Sequence, residues 1–222
     1  MDLPARGPDP MTSWADVRMA VDRLLAAPGR VLLGIVGPPG AGKSTLAAAV
    51  VQHVGAAAAR VPMDGFHLAD VELDRLGRRD RKGAADTFDG HGYLALLARI
   101  RTQTDDVVYA PAFDRDLEQP VAGAVAVLPT ARLVVTEGNY LLDDEPPWDQ
   151  VASLLDETWY VHLDDGARRR RLVARHERFG KPPDAARAWE SSVDQPNAER
   201  TAAARDRADR VVDLSALDLR GP

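Results

Sequence analysis

Nine residues, Gly37-Pro38-Pro39-Gly40-Ala41-Gly42-Lys43-Ser44-Thr45, fit the pattern G-x-x-x-x-G-K-[ST] and directly follow the apolar run Val31–Val36. Glycines in such a loop let the chain bend back so that successive backbone N–H groups converge on phosphate oxygens. A helix starting at Lys43 would add the positive end of its dipole and its unpaired N–H donors. Lys43 is the residue type that holds β- and γ-phosphates, and the Ser44 hydroxyl is a ligand for Mg²⁺. The stretch predicts binding of a nucleoside triphosphate. The alternative, a glycine-rich turn with no ligand, gives no reason for a strand before the loop and a helix after it.

Acids at the ends of apolar runs are the second chemical signal. Asp64 follows Ala57–Met63, Glu137 follows Leu133–Thr136, and Asp164-Asp165 follow Trp159–Leu163. Phosphoryl transfer needs positioning, charge neutralisation and removal of a proton from the accepting hydroxyl. Asp64 is the candidate for the proton, against the plainer reading of an Asp-Gly turn. Glu137 closes a strand of the Walker B kind, where an acid holds a Mg²⁺-bound water or positions the substrate. Asp164 or Asp165 is better read as a helix cap. Between Gly166 and Phe179 stand six arginines against one acid, Glu177. On a helix Arg168, Arg171, Arg175 and Arg178 fall within an arc of about 80°, a basic stripe able to close over a triphosphate. Substrate contacts are expected from segment 64–93 and a following hairpin. There Phe66, Phe88, Tyr93, Tyr109 and Phe113 are candidates to stack on a base, and His67 or His91 to bond a hydroxyl. No spacing among the five histidines suggests a metal site.

These side chains need a scaffold, and the periodicity supplies one. Thr12 or Ser13 caps a helix to about Ala27, ended by Pro28-Gly29. Val31–Val36 is a continuous apolar strand of the type buried on both faces. A helix from Lys43 to about Val54 and the strand Ala57–Met63 complete a βαβ unit with parallel strands. Segment 67–92 reads as a loop with a short helix, and Gly92–Arg101 as an amphipathic helix. Val107–Tyr109 and Val125–Val127 pair as a hairpin across a polar link, Pro111–Gly123. Residues 184–208 are mostly helical, and Val211-Val212 is a last short strand. Alternating strands and helices mean an α/β fold, in which ligands collect beyond the carboxyl ends of parallel strands. The loop and the three acid positions all fall at that edge.

A chain of 222 residues suits one α/β domain. It contains no run of about 18 apolar residues, and its first residues show no secretory h-region. It has no cysteine, hence no disulfide framework and no thiolate chemistry. Its net charge of −6 argues against a general nucleic-acid binder. The expectation is a cytoplasmic protein whose partner is a small-molecule hydroxyl substrate, with no nucleic acid and no membrane, a homodimer remaining open.

The motifs GPPGAGKST, MDGFH, RKGAADTFDGHGY, YAPAFDR, VVTEGNYLL, RRRRLVARH and RADRVVDL together span most of residues 31–214. The set resembles the P-loop kinase superfamily of uridine kinase, phosphoribulokinase and type I pantothenate kinase. Within it, it is most similar to bacterial nucleoside/nucleotide kinase-like or fructose transport system kinase-like proteins. The resemblance implies a P-loop NTPase three-layer sandwich with a mostly parallel central sheet, a small β-hairpin and a helical lid at about 166–183. It implies one kinase domain over 12–222 and an ATP- and Mg²⁺-dependent alcohol phosphotransferase; residues 1–11, rich in Pro and Gly, read as a flexible lead-in. Asp64 then aligns with the catalytic aspartate, Glu137 with the acid of the E-G motif, and Arg171 and Arg175 with the lid arginines. Lys82, Tyr109 and Arg115 fall in segments that line the acceptor site. The Gly-Phe-His after Asp64 is closer to pantothenate kinases than to the Asp-Ser-Phe-Tyr style of uridine kinases, while Asp86-Thr87-Phe88-Asp89 resembles both. The competing class is a nucleotide-dependent switch or assembly ATPase without an acceptor. No N-K-x-D guanine-reading motif and no L-S-G-G-Q signature is present.

Overall fold

The computed structural model describes residues 10–217. Ser13 caps helix α1 (Trp14–Leu25) in a reciprocal capping box with Asp16. Strand β1 (Val31–Val36) leads through the glycine-rich loop into α2 (Lys43–Val54), and β2 (Ala58–Pro62) follows. A 3₁₀ turn, Met63–Phe66, carries the chain off the end of β2 toward α3 (Asp70–Leu76) and α4 (Gly90–Thr102). Then come β3 (Val108–Asp114), β4 (Gln119–Val127), β5 (Leu133–Gly138) and β6 (Glu157–His162). The last third holds α5 (Asp165–Arg178), α6 (Pro183–Trp189), a π-helical turn Glu190–Asp194, α7 (Gln195–Ala202) and β7 (Arg210–Asp213).

Five strands form one parallel sheet in the order β2-β5-β1-β6-β7. β1 and β5 are buried at every position, β1 as its unbroken apolar run requires and β5 with Thr136 and Glu137 buried after its apolar start. Alternate residues serve opposite faces. Val31, Leu33 and Ile35 pack with α1 and α2 in one core, whereas Leu32 and Val134 face Ile100 of α4 and the hairpin residues Val108 and Val127. A further core joins Met63, Tyr93, Tyr140 and Trp148 beneath the turn after β2. Gly65 permits that arrangement, because a Cβ there would collide with the backbone of Pro111 in β3.

Two sequence readings are corrected. The hairpin strands take in most of the supposed polar link, which leaves only Arg115–Glu118 as the turn. Pro111 reads as a breaker, but the β3–β4 register shifts between Ala110 and Ala112, and proline is accepted at such an irregularity. The expected flexible lead-in also ends too late. Met11 is buried and bonded on both sides to β7, its N–H donating to Val211 at 2.8 Å and its carbonyl accepting from Asp213 at 3.0 Å. Residues 1–9 of that segment lie outside the described residues.

Candidate active site

Register brings the chemistry to one edge. Glu137 stands beside Ile35 of β1 and Pro62 of β2, so the phosphate loop, Asp64 and Glu137 emerge side by side from neighbouring strands. They open onto a cavity of about 1100 Å³. Its floor is the loop and the start of α2, one wall is the segment 64–88 with the hairpin turn, and α5 with the π-helical turn forms the other.

The loop is held in shape by backbone that only glycine adopts easily, with φ of 79° at Gly40 and 101° at Gly42. A Cβ on Gly40 would meet Leu172 of α5 at 2.7 Å, so the loop and the arginine helix touch. Lys43 is buried. Its ammonium donates to the carbonyls of Gly37 (2.8 Å) and Pro38 (3.1 Å) and to Asn139 Oδ1 (2.7 Å). Burial pulls its pKa down to about 8, with Glu137 and Asp64 opposing the shift. Pro39, Gly40, Gly42, Ser44 and Thr45 line the cavity, while Ala41 is turned into the core.

Ser44 Oγ donates to Glu137 Oε1 at 3.0 Å, so the two candidate metal ligands already stand together. The same oxygen accepts from Arg60 at 2.7 Å. Glu137 is only 4% exposed, and Arg60 is the counter-charge that makes a buried carboxylate tolerable. A hydroxyl and a carboxylate are hard oxygen donors, a set that fits Mg²⁺.

Asp64 is half-buried, and its Oδ2 accepts from Arg115 at 2.6 Å. Burial alone would raise its pKa. The surrounding His67, Arg115, Lys43 and Arg175 outweigh that and hold it below the ordinary aspartate value. His67 stacks between Phe88 (4.0 Å between centroids) and Phe113 (4.8 Å). Its Nδ1 lies 2.8 Å from the Asp64 carbonyl oxygen. Burial lowers its pKa, with Asp64 acting the other way. Lys82 also lines the cavity, pairing with Asp70 at 2.6 Å and donating to the Glu118 carbonyl at 2.6 Å.

The arginine stripe divides. Arg171 and Arg175 line the cavity. Arg168, 1% exposed, serves as a strut instead, donating to Asp165, to the Pro39 carbonyl at 3.3 Å and to Gln195 at 2.6 Å. Arg169 grips the buried Glu190 with two 3.0 Å bonds, and Arg178 lies over the Phe179 ring. Asp164 caps α5, accepting from Ala167 N–H at 2.8 Å.

Four expected substrate contacts lie elsewhere. Tyr93 is fully buried with its hydroxyl 2.6 Å from Thr136 Oγ1, and His91 is exposed outside the cavity lining. Phe66 is turned into the packing against Tyr93, and Tyr109 is 60% exposed on β3, away from the cavity lining. Strand alternation sends Tyr109 outward when its neighbours Val108 and Ala110 are buried. Sequence reasoning also passed over Arg60 and Asn139. Arg60 is the one charge in an otherwise apolar strand, which is a usable signal. Asn139 offers none beyond its place two residues after Glu137.

No protein-family model matches the chain. It is 35% identical over 185 residues to the "Putative uridine kinase C227.14" of Schizosaccharomyces pombe, an alignment covering 79% of this chain and 78% of that protein. It is 41% identical over 133 residues to the "ATP-dependent kinase-like protein notR'" of Aspergillus versicolor, 57% of this chain and 77% of that protein. A crystal structure described as a "putative fructose transport system kinase" from Silicibacter sp. TM1040 matches with a TM-score of 0.78 at 38% identity. That match covers 89% of this chain and 97% of the other.

Proposed function

Given that the chain belongs to the P-loop kinases of the uridine kinase family, we propose that it transfers the γ-phosphate of ATP to a hydroxyl of a nucleoside-, pantothenate- or sugar-like small molecule. One observation carries the reading: a phosphate loop and the Asp64 carboxylate face a shared cavity with room for both a nucleotide and an alcohol. A nucleotide switch without an acceptor has no use for that second space or for a carboxylate beside it.

In this reading the loop amides and Lys43 grip the β- and γ-phosphates, and Arg171 and Arg175 neutralise charge on the moving group. Asp64, kept ionised by its cationic neighbours, takes the proton from the acceptor hydroxyl. The acceptor oxygen forms its bond to the γ-phosphorus as the bond to the β,γ-bridging oxygen breaks, and ADP leaves with that electron pair. Ser44 and Glu137 would hold Mg²⁺, which when bound shields charge on the phosphate oxygens. Arg60 and Asn139 fix Glu137 and Lys43 in place. Arg115 orients Asp64.

Asp64→Asn tests this. ATP affinity should stay within about twofold while acceptor-dependent ADP release falls by about 10²- to 10⁴-fold. Normal turnover in the variant refutes the assignment of the base.

A further inference from the structure

Arg60 and Glu137 pair in a way that leaves part of each unused. Arg60 sits on β2, the outermost strand of the sheet, in register with Val135 and two residues before Pro62, which stands beside Glu137. Alternate residues of a strand share a face, so Arg60 and Glu137 are diagonal neighbours on the face where Ser44 of α2 meets the sheet. Arg60 reaches the carboxylate with one terminal nitrogen, Nη2 to Oε1 at 2.7 Å. Its Nε is the only side-chain nitrogen or oxygen among the described residues that is buried without a hydrogen-bond partner. A fork-to-fork pairing through Nε and Nη2 would satisfy that nitrogen, but it would occupy both carboxylate oxygens. The observed pairing does the reverse. Oε1 accepts from Ser44 at 3.0 Å and from Arg60, while Oε2 accepts nothing among the described residues and belongs to a side chain lining the cavity. A bare buried donor is unfavourable, and what it keeps open is Oε2.

Charge adds a second constraint. Glu137 faces two cations, Arg60 in contact and Lys43 close enough to feel its field. Asp64, the other acid acting on Lys43, is itself paired with Arg115 at 2.6 Å. Among the described residues no group of three or more His, Cys, Asp or Glu side chains is placed to hold a metal ion. A bare divalent cation would therefore find one carboxylate already neutralised and further positive charge beside it. The phosphates of a nucleotide reverse that balance, because they bring several negative charges of their own.

We infer that Arg60 is a positioning residue that controls metal entry: it holds Glu137 by Oε1, keeps Oε2 on offer, and cancels the carboxylate's charge so that a divalent cation is admitted with the nucleotide and not before it. This rests on the kinase reading above and adds a control on its metal ligand. A cation lodged early would oppose the arrival of a nucleotide already carrying its own.

The test follows Mn²⁺, a paramagnetic stand-in for Mg²⁺, by electron paramagnetic resonance of the free ion. Wild type, Arg60→Lys, Arg60→Gln, and Arg60→Gln combined with Glu137→Gln are titrated as full chains. Each is run without nucleotide and with a non-hydrolysable ATP analogue, and thermal melts report folding. Without nucleotide, wild type should leave Mn²⁺ free up to about 1 mM, and with the analogue it should take up the ion. Arg60→Gln keeps a donor for Oε1 but no charge, so its nucleotide-free Kd for Mn²⁺ should fall at least about tenfold below that of wild type. Loss of packing alone cannot tighten metal binding. The double variant should lose the gain, which places the ion at Glu137, and Arg60→Lys, which keeps the charge, should behave as wild type. Arg60→Met, equally neutral, repeats the measurement if the glutamine variant melts early. Capture of Mn²⁺ by nucleotide-free wild type, neutral variants no tighter than wild type, or a gain that survives in the double variant overturns the inference and leaves the kinase reading standing. Wild type that takes up no Mn²⁺ even with the analogue sinks the metal site of the kinase reading and this inference with it.

Discussion

Lys43 is the residue whose ionisation can be read most directly. Its ammonium is enclosed by the phosphate loop, and its nearest partners are two carbonyls and an amide oxygen, with no carboxylate in bonding contact. Burial therefore brings its pKa from the ordinary 10.5 to about 8. If the charged form is what grips the phosphates, ATP affinity of the free protein falls with pH in proportion to the fraction of Lys43 still protonated. That is about twofold at pH 8, about tenfold at pH 9 and about hundredfold at pH 10, until the higher pKa of the nucleotide-bound state is reached. Isothermal titration calorimetry with ATP between pH 6.5 and 10 measures it. Repeating pH 9 in buffers of different ionisation enthalpy should reveal uptake of close to one proton per ATP bound. Lys43→Arg, charged throughout this range, should bind more weakly but with no decline. Affinity flat to pH 10 in wild type, or an equal decline in the arginine variant, refutes the reasoning. The same depression has a stability consequence of opposite sense. The unfolded chain binds the proton more tightly between pH 8 and 10.5, so charged Lys43 costs the fold about 3 kcal/mol at neutral pH, and that cost is relieved as pH rises through this window.

The divided arginine stripe predicts divided phenotypes. Arg168→Met should lower unfolding stability by about 3 kcal/mol through loss of a buried, multiply bonded charge, seen in urea melts. Arg171→Met, at an exposed residue with no ion pair among the described residues, should leave stability within about 0.5 kcal/mol and instead lower kcat by at least about tenfold. Glu137→Gln should raise the Mg²⁺ concentration for half-maximal rate by about 10- to 100-fold, measured by titrating the metal at fixed ATP; an unchanged requirement removes Glu137 from the metal site. Gly42→Ala places a Cβ at a φ of 101° and 2.7 Å from Leu214, so both stability and ATP affinity should fall, the former by about 1–2 kcal/mol in thermal melts.

The sheet was legible because parallel strands buried on both faces read as largely apolar runs, as Val31–Val36 and the start of Leu133–Thr136 do. The phosphate loop was legible because its chemistry is local: nine contiguous residues make the bend, the donors and the charge. Asp64 and Glu137 followed from topology, since acids at the tips of neighbouring parallel strands share an edge. The hairpin was legible only as a pair of short strands, because Pro111 hides in a register shift that no local pattern announces.

Tertiary structure alone decided which charges are free. The six arginines of one helix are chemically alike in sequence, yet Arg168 is spent on Pro39 and Gln195, Arg169 on Glu190, and only Arg171 and Arg175 reach the cavity. Arg115 meets Asp64 across 51 positions and Arg60 meets Glu137 across 77. Such pairings depend on how distant elements pack, and helix or strand periodicity carries no record of a partner that lies outside its own element. The sequence could therefore carry the expectation of a phosphate site and place an acid beside it. Which cations remain to bind an anion, and which are already neutralised, became readable only once the chain was folded.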